Sequence, residues 1–463
     1  MNKKISAAII SLAASVFLIN SMNTVSFAAK KEPALIKKKV KITGDTTLNF
    51  KLPKVAATTG GAYDMKQNLI EGASVSAIKK GHIIGTSTNT DKNGKWELYL
   101  LRGKSYKIRC DPPLEGVEIS DGDTAARTRA VTRRLEISVP QSGPLWIKMG
   151  DGYFYDGKIL DEKGQPAVGS GIFAVDVVND EYYGGIGDLE KATFKMNLPS
   201  RNFEMHALRV IHVPSDKFPT YGNKKLGKKF INKDSNTTVK MTKANVMQGL
   251  VKDKDGKIPY AALNFMNYAD KNMPWMRTIM AINLPPESSP FTDAAVSFTY
   301  KAGLNNGKYA IQIIPLHVKD LLDIPYSQRA TVLNVKKYTI RQNKKANFVL
   351  PEGKIVSGKV TDKQGNPLAS VLLMFTTAKN QAKLMSDRNV ILTGTITSDK
   401  GEYYIPLPPG TYFIYVIPTP EEAATARDLL IHEISQEGIE GNRALYLMNR
   451  IIQVTIDEAF RMK

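Results

Sequence analysis

Cysteine is nearly missing from this chain of 463 residues: Cys110 stands alone. A single thiol permits no intrachain disulfide, so any modules must be held together by their cores. Cys110 itself reads as a small buried apolar residue. Histidine is also scarce. His82, His206, His212, His317 and His432 complete the set, and none stands in an H-E-x-x-H or H-x-x-E spacing, which excludes a zinc ligand set of that kind. His206 and His212 could meet across a strand pair, although satisfied or solvated imidazoles are the simpler meaning. There is no G-x-S-x-G elbow and no G-x-x-x-x-G-K-[ST] phosphate loop. Ser76-Ala77-Ile78-Lys79 fits S-x-x-K by letter only, because in a strand positions i and i+3 face opposite sides. Asn89, Asp91, Asn93 and Gly94 imitate the start of a calcium loop, but Leu100 stands where a bidentate Glu is needed. That stretch reads as a turn. No catalysis, metal or cofactor is expected.

Acidic residues are in deficit. There are 44 Asp and Glu against 64 Lys and Arg, a formal net charge of +20. This balance suits anionic partners such as wall polymers, acidic glycans or lipid headgroups. The charge is spread over loops and a leader without a recognised DNA- or RNA-binding motif, so nucleic acid is disfavoured. Long apolar runs are absent beyond the first residues. Residues 1–28 have the form of a secretory signal: Lys3 and Lys4, an apolar stretch over 7–19, and Ser26-Phe27-Ala28 at the cleavage position. The apolar run is shorter than a membrane span requires. No cysteine follows to carry a lipid, and no wall-sorting pattern closes the chain. The expectation is an exported protein, secreted or associated with the cell envelope.

What is present is a repeated β pattern, clearest over residues 355–418. Val356, Gly358 and Val360 alternate with Ser357, Lys359 and Thr361, the period of a half-buried strand. Asp362 to Gly365 forms a turn, with Asp capping the backbone and Gly free to take positive φ. Pro367 follows, then a second strand. Thr397-Ser398-Asp399-Lys400-Gly401-Glu402-Tyr403 is a second box of strand, turn and aromatic-led strand. Gly410 then leads into the core strand TYFIYV.

The pattern of Gly358, Val360, Asp362, Gly365 and Pro367, then Asp399, Gly401, Tyr403, Gly410 and Tyr412, resembles the carboxypeptidase regulatory-like domain. That is a transthyretin-like seven-stranded sandwich grouped with carbohydrate-binding-like folds. The matching positions are structural in that family, so the resemblance implies a fold and carries no active site.

Three weaker copies lie upstream. One has Gly157, Ile159, Asp161, Gly164 and Pro166. Another has Gly249, Val251, Asp253, Gly256 and Pro259. The first keeps Asp64 and Ala73 of the opening box and an intact second box, Asp91 to Trp96. Closing strands are expected at 135–140, 237–243, 346–351 and 451–457. An unpaired opener of the same type, TLNFKLP over 47–53, precedes the first module. Such a period marks an array, here of units large enough to fold alone.

The expected architecture is therefore all-β, a tandem array of four transthyretin-like β-sandwich modules. After the signal (1–28) and a basic, mobile leader (29–46) come modules at 47–143, 144–243, 244–350 and 351–463. The last is expected to carry a short helix, opened by the capping box Thr419-Pro420-Glu421-Glu422 and stopped by Gly438. A lysine-rich loop is expected over 217–233. An insert over 271–292, rich in Pro, Met and Trp, breaks the strand rhythm.

Candidate ligand-binding residues are few. Trp275 and Met276 in that insert could stack on a sugar or anchor a partner protein. Lys37, Lys38 and Lys39 in the leader could bind a polyanion, although a solvated tail has the same composition. Trp96 occupies the aromatic slot of a second box and reads as core, and Trp146 as a wedge at a module junction. The function expected is that of a non-catalytic binding and spacer protein of the envelope or extracellular space, in adhesion or scaffolding. The alternative is a protein that binds carbohydrate or an anionic wall polymer. A third reading is a hydrolase whose constellation is not recognised.

Overall fold

The structure is a computed structural model. It describes residues 36–52, 55–79, 86–113, 127–167, 170–176, 178, 181–185, 191–209, 211–212, 220–259, 261–269, 279–283, 298–315, 329–369, 371–379, 383 and 387–417. It is a tandem array of four β-sandwiches, each with its own buried apolar cluster.

The sandwiches share one plan. In the first, the opening strand Ala56–Tyr63 lies between Lys95–Leu100, antiparallel, and Leu145–Lys148, parallel. The facing sheet runs Arg133–Ser138, Ser105–Asp111, Ser74–Lys79, Thr86–Asn89. In the second, Tyr153–Leu160 lies between Thr193–Leu198 and Ser235–Lys240. Its facing sheet runs Glu181–Gly185, Ser170–Asp176, Arg201–Arg209, Lys224–Ile231. In the third, Asn245–Gly249 lies between Tyr300–Leu304 and Lys344–Lys345. Its facing sheet runs Ile279–Asn283, Ala261–Asn267, Gly307–Pro315, Leu333–Ile340, with Ile211–His212 of the preceding module added at the edge.

The alternation read from the sequence produces this packing. Val356 and Val360 are fully buried in the opener Lys354–Thr361, while the residues between them stay half-exposed or exposed. The Asp of each opening box caps its turn. The Asp362 carboxylate accepts the backbone N–H groups of Gln364 and Asn366 at 2.8 Å each, and Asp161 does the same for Lys163 and Gln165. Gly164, Gly256 and Gly365 take positive φ at the same turn position. In the first module Gln67 stands there with φ of 67°, so the worn opening box still makes the turn. In the third and fourth modules a core strand begins on a tyrosine corner: Tyr309 donates its hydroxyl to the Asn305 carbonyl at 2.9 Å and Tyr412 to that of Pro408 at 2.8 Å.

The glycine of each opener has a purpose the sequence reading did not see. A Cβ on Gly60, Gly157, Gly249 or Gly358 would collide with a backbone carbonyl of the last strand, that of Leu145, Thr237, Ala346 or Leu48 respectively. The last strand of a module crosses its opener so closely that no side chain fits between them. Gly60 is therefore the opening-box glycine of the first module.

Several expectations are corrected. Residues 36–42 are no mobile leader but the strand Ile36–Ile42, paired antiparallel with Gly410–Ile417. Residues 47–52 are not an opener of the first module, since Thr46–Thr47 and Phe50–Lys51 pair in parallel with Lys354–Thr361 of the fourth. Arg133–Ser138 is an edge strand, and the last strand of the first module is Leu145–Lys148. Much of the expected lysine-rich loop is the strand Lys224–Ile231, and part of the 271–292 insert is the strand Ile279–Asn283. The expected signal, C-terminal helix and closing strand at 451–457 lie outside the described residues.

Candidate functional site

The fourth sandwich is completed by residues 36–52, which precede the first module in sequence. Its opener Lys354–Thr361 pairs with Glu402–Leu407 on one side and with residues 46–51 on the other. Ile36–Ile42 forms the edge of the facing sheet, next to Gly410–Ile417, Leu372–Thr376 and Leu392–Ile396. Ile42, Phe50 and Leu52 sit in the core with Val356, Phe375, Tyr403 and Ile414. Burying three such side chains contributes up to about 5–9 kcal/mol. A domain's whole stability is about 5–15 kcal/mol, so this sandwich depends on the strands it receives.

The received segment makes the contacts that an internal last strand makes elsewhere. The Asp45 carboxylate accepts the Ile355 N–H at 2.9 Å. Asn343 accepts from Val246 at 2.9 Å and Asp234 from Phe154 at 3.0 Å in the same way. Asn49 accepts from Lys359 and Asn347 from Leu250, both at 2.9 Å. The Leu48 carbonyl accepts the Tyr403 hydroxyl at 2.7 Å, as the Ala346 carbonyl accepts that of Tyr300 at 2.7 Å.

Arginines clamp these caps from the preceding module. Arg329 donates to both oxygens of Asp45, and Arg129 to both oxygens of Asp234. The hydrogen bond from Arg329 holds the Asp45 carboxyl below its ordinary value, and that from Arg129 brings Asp234 down to about 2. A second pair, Arg127 to Asp156, also joins the first two modules.

Lys37, Lys38 and Lys39 therefore lie on an ordered edge strand. Lys37 reaches over the rings of Phe413 and Tyr415 at 4.9 and 5.2 Å and donates to the Lys379 carbonyl. Lys38 lies over Phe50 at 5.7 Å, while Lys39 and Lys41 are exposed. Burial, and then the charge of Lys79, lower the Lys37 pKa. Burial, and then Lys104, lower that of Lys79. Like charges thus gather where the received strand meets the first module. The equivalent edge strand is basic in every module, with Arg133 and Arg134, Lys224, Lys225, Lys228 and Lys229, and Lys336 and Lys337. Charged edges deter pairing with other chains. The same position in each sandwich thus carries positive charge.

Trp275 and Met276 lie outside the described residues, as do His82, His317 and His432. Trp96 is core, 4% exposed. Trp146 is no junction wedge: it is 47% exposed and its ring lies over Gly61, where a Cβ would strike it, 6.5 Å from the Tyr63 ring. The exposed side chains of Met65 and Leu69 belong to the same end of the opening strand and its turn. This aromatic platform was not singled out from sequence, although Trp146 beside a glycine-paired strand is its one trace. His206 and His212 do not meet across a strand pair. His206 is buried at 3.1 Å from the Glu204 carboxylate, which Lys225 also contacts at 2.9 Å, while Ile211–His212 joins the edge of the next module. Asp91 caps its turn, accepting the N–H groups of Asn93 and Lys95. Cys110 is fully buried, with its thiol pKa pushed up by desolvation. Among the described residues no group of His, Cys, Asp or Glu is placed to hold a metal ion, and no helix is long and apolar enough to cross a membrane.

No family model matches the sequence, and no curated protein matches it. The resemblance to the carboxypeptidase regulatory-like domain thus stays one of strand pattern. Among solved structures the chain is similar to the TIE protein of Bacillus anthracis, at 13% identity and a TM-score of 0.17 over 64% of this chain; it spans half of that protein's length. It is also similar to a streptococcal ancillary pilin, at 11% identity and a TM-score of 0.17, over 64% of this chain and 99% of the pilin. A third is BcpA, the major pilin subunit of Bacillus cereus, at 10% identity and a TM-score of 0.16, over 65% of this chain and all of BcpA. Likenesses this slight carry nothing about activity or partners.

Proposed function

We propose that the chain is a non-catalytic structural protein of the cell surface, a spacer or scaffold that holds to an anionic polymer of the envelope. The observation that carries this reading is the recurrence of a basic edge strand at the same place in all four sandwiches, with Lys37, Lys79 and Lys104 gathered beside the received strand. An extended polyanion can follow such a series and relieve its like-charge repulsion. Each contact is exposed and weak, and affinity comes from their number. Buried polar side chains are taken up by bonds inside the sandwiches, as Asp111 is with Arg109 and Asn283 with the Pro259 carbonyl, and the hydrolase reading finds no constellation among the described residues.

The test is retention on dextran sulfate and on purified cell wall across a salt series, with neutral dextran as the control. Retention on both anionic materials should fall steeply with salt. Replacing Lys38, Lys39 and Lys41 together by Ala should weaken it. Unchanged retention in that variant rejects the assignment of these residues.

Trp146 supports a second reading, carbohydrate binding. An exposed indole over Gly61 and beside Tyr63 is suited to stack on a sugar ring. That binding would survive high salt and be lost in Trp146→Ala.

A further inference from the structure

Three of the sandwiches are closed by the strand that follows them in sequence. The fourth is closed by residues 46–51, which precede it by some 310 positions, as the bonds from Ile355 and Lys359 show. We propose that residues 36–52 are an exchangeable strand set, and that they complete the fourth sandwich of a second copy of this chain, so that copies join head to tail.

The junctions support this. The last strand of the second module ends at Lys240 and the next opener begins at Asn245. In the third module the corresponding strand ends at Val349, and the opener Lys354–Thr361 follows. The received strand ends at Lys51 and the opener of the first module begins at Ala56. The connection from the fourth sandwich into the first is thus built like the connections inside the chain. A donor copy can place its own first module beside an acceptor's fourth through this same junction, with the change of path between copies taken up at a hinge elsewhere in the chain.

The contacts also transfer whole. Gly358 is shaped for the Leu48 carbonyl, Tyr403 bonds it, Asp45 and Asn49 cap the opener, and Arg329 of the third module clamps Asp45. Each joins the segment to residues 329–417 of an acceptor, and none requires both sides to belong to one molecule. Exchange therefore swaps equal contacts, the usual condition for a low-cost domain swap.

What differs is the closing entropy. Within one copy the ends of a segment of some 300 residues must meet, whereas between copies the balance shifts with concentration. The segment is synthesised before its acceptor strands, with the other three modules in between, so the fourth sandwich stays open while those three complete themselves. A receiving groove and a donor at opposite ends of one chain make a heterologous contact, which propagates unless the rotation closes a ring.

The test uses the register of the received strand, in which Lys39 is the partner of Phe413. Lys39→Cys and Phe413→Cys are made in separate copies and also together in one. Both positions lie on the outward side of the sheet, and the native Cys110 is buried. The two single variants are mixed, unfolded, refolded together under reductant at low and high concentration, and then oxidised. Exchange predicts a disulfide-linked dimer joining the two substituted positions, identified by peptide mass, whose yield rises with refolding concentration. It also predicts a ladder from the double variant at high concentration. Size-exclusion chromatography with light scattering of the unsubstituted protein should show the same concentration dependence. A double variant that cross-links only within the monomer, with no mixed dimer and a monomeric unsubstituted protein under every condition, overturns the proposal. Failure of the double variant to cross-link at all overturns it too, because the pairing itself would then be absent.

Discussion

Replacing Phe50 by Ala separates the two possible homes of the N-terminal segment. Phe50 precedes the first module in sequence, yet its ring is 3% exposed in the core of the fourth, 6.2 Å from that of Tyr403. Removing a buried phenyl ring costs about 3–5 kcal/mol, from lost transfer energy and the cavity left behind. At about 1.4 kcal/mol per tenfold, the open form of the fourth sandwich becomes roughly a hundredfold to several thousandfold more populated. The assay is hydrogen exchange followed by peptide mass, because sandwiches that open separately report separately. Peptides from residues 354–417 should lose protection by that factor, and peptides from 56–148 should keep theirs. Phe348→Ala is the matched control: Phe348 follows Asn347 as Phe50 follows Asn49, and its loss should fall on the third module. If Phe50→Ala instead loosens 56–148 and spares 354–417, the segment belongs to the first module and the account of strand donation is wrong.

Other expectations follow from single positions. Gln67 carries a side chain at a turn where the other modules place glycine, with φ of 67°, so Gln67→Gly should stabilise the first module by about 0.5–1 kcal/mol in urea unfolding; a loss of stability would show that the side chain makes up for the strain. Asp234 is held down to about 2 from 3.8, first by the hydrogen bond from Arg129. Its contribution is complete above 3.8 and disappears as pH falls through the folded value. Arg129→Ala should move its NMR titration midpoint back towards 3.8, and an unmoved midpoint rejects the clamp. Lys37 and Lys79 are held below 10.5, with burial the larger cause and a neighbouring lysine the second. The protonated forms oppose folding, so this part of the stability rises with pH from the folded values up to 10.5. Lys79→Gln should therefore raise the melting temperature at low salt, with the gain shrinking as salt is added, and a gain independent of salt would assign it to burial alone.

The module plan was legible because its causes are local. Alternation sorts side chains between core and water, and Asp with Gly bends the backbone at fixed offsets. These terms act within a few residues, so Gly358 to Pro367 and Thr397 to Tyr403 could be read without coordinates. Gln67 shows the limit of that reading: the letter is wrong for the turn, yet the turn is made, because the flanking strands hold the backbone in place. Gly60 shows another. Its glycine answers to the Leu145 carbonyl, a neighbour distant in sequence.

The pattern of residues 47–53 was visible as of the same type as the closing strands, yet it read as an unpaired opener ahead of the first module. Its partner was beyond reach, because strand pairing is decided by which groove is vacant in space, and that groove lies some 310 residues further along. The same holds for Lys37 to Lys41, whose letters are those of a solvated tail until Gly410–Ile417 offers an edge to pair with. The sequence by itself determined that sandwiches form and where each one turns. Only the tertiary structure decided that the fourth is finished by residues 36–51, because backbone hydrogen bonds carry no record of which segment must supply them.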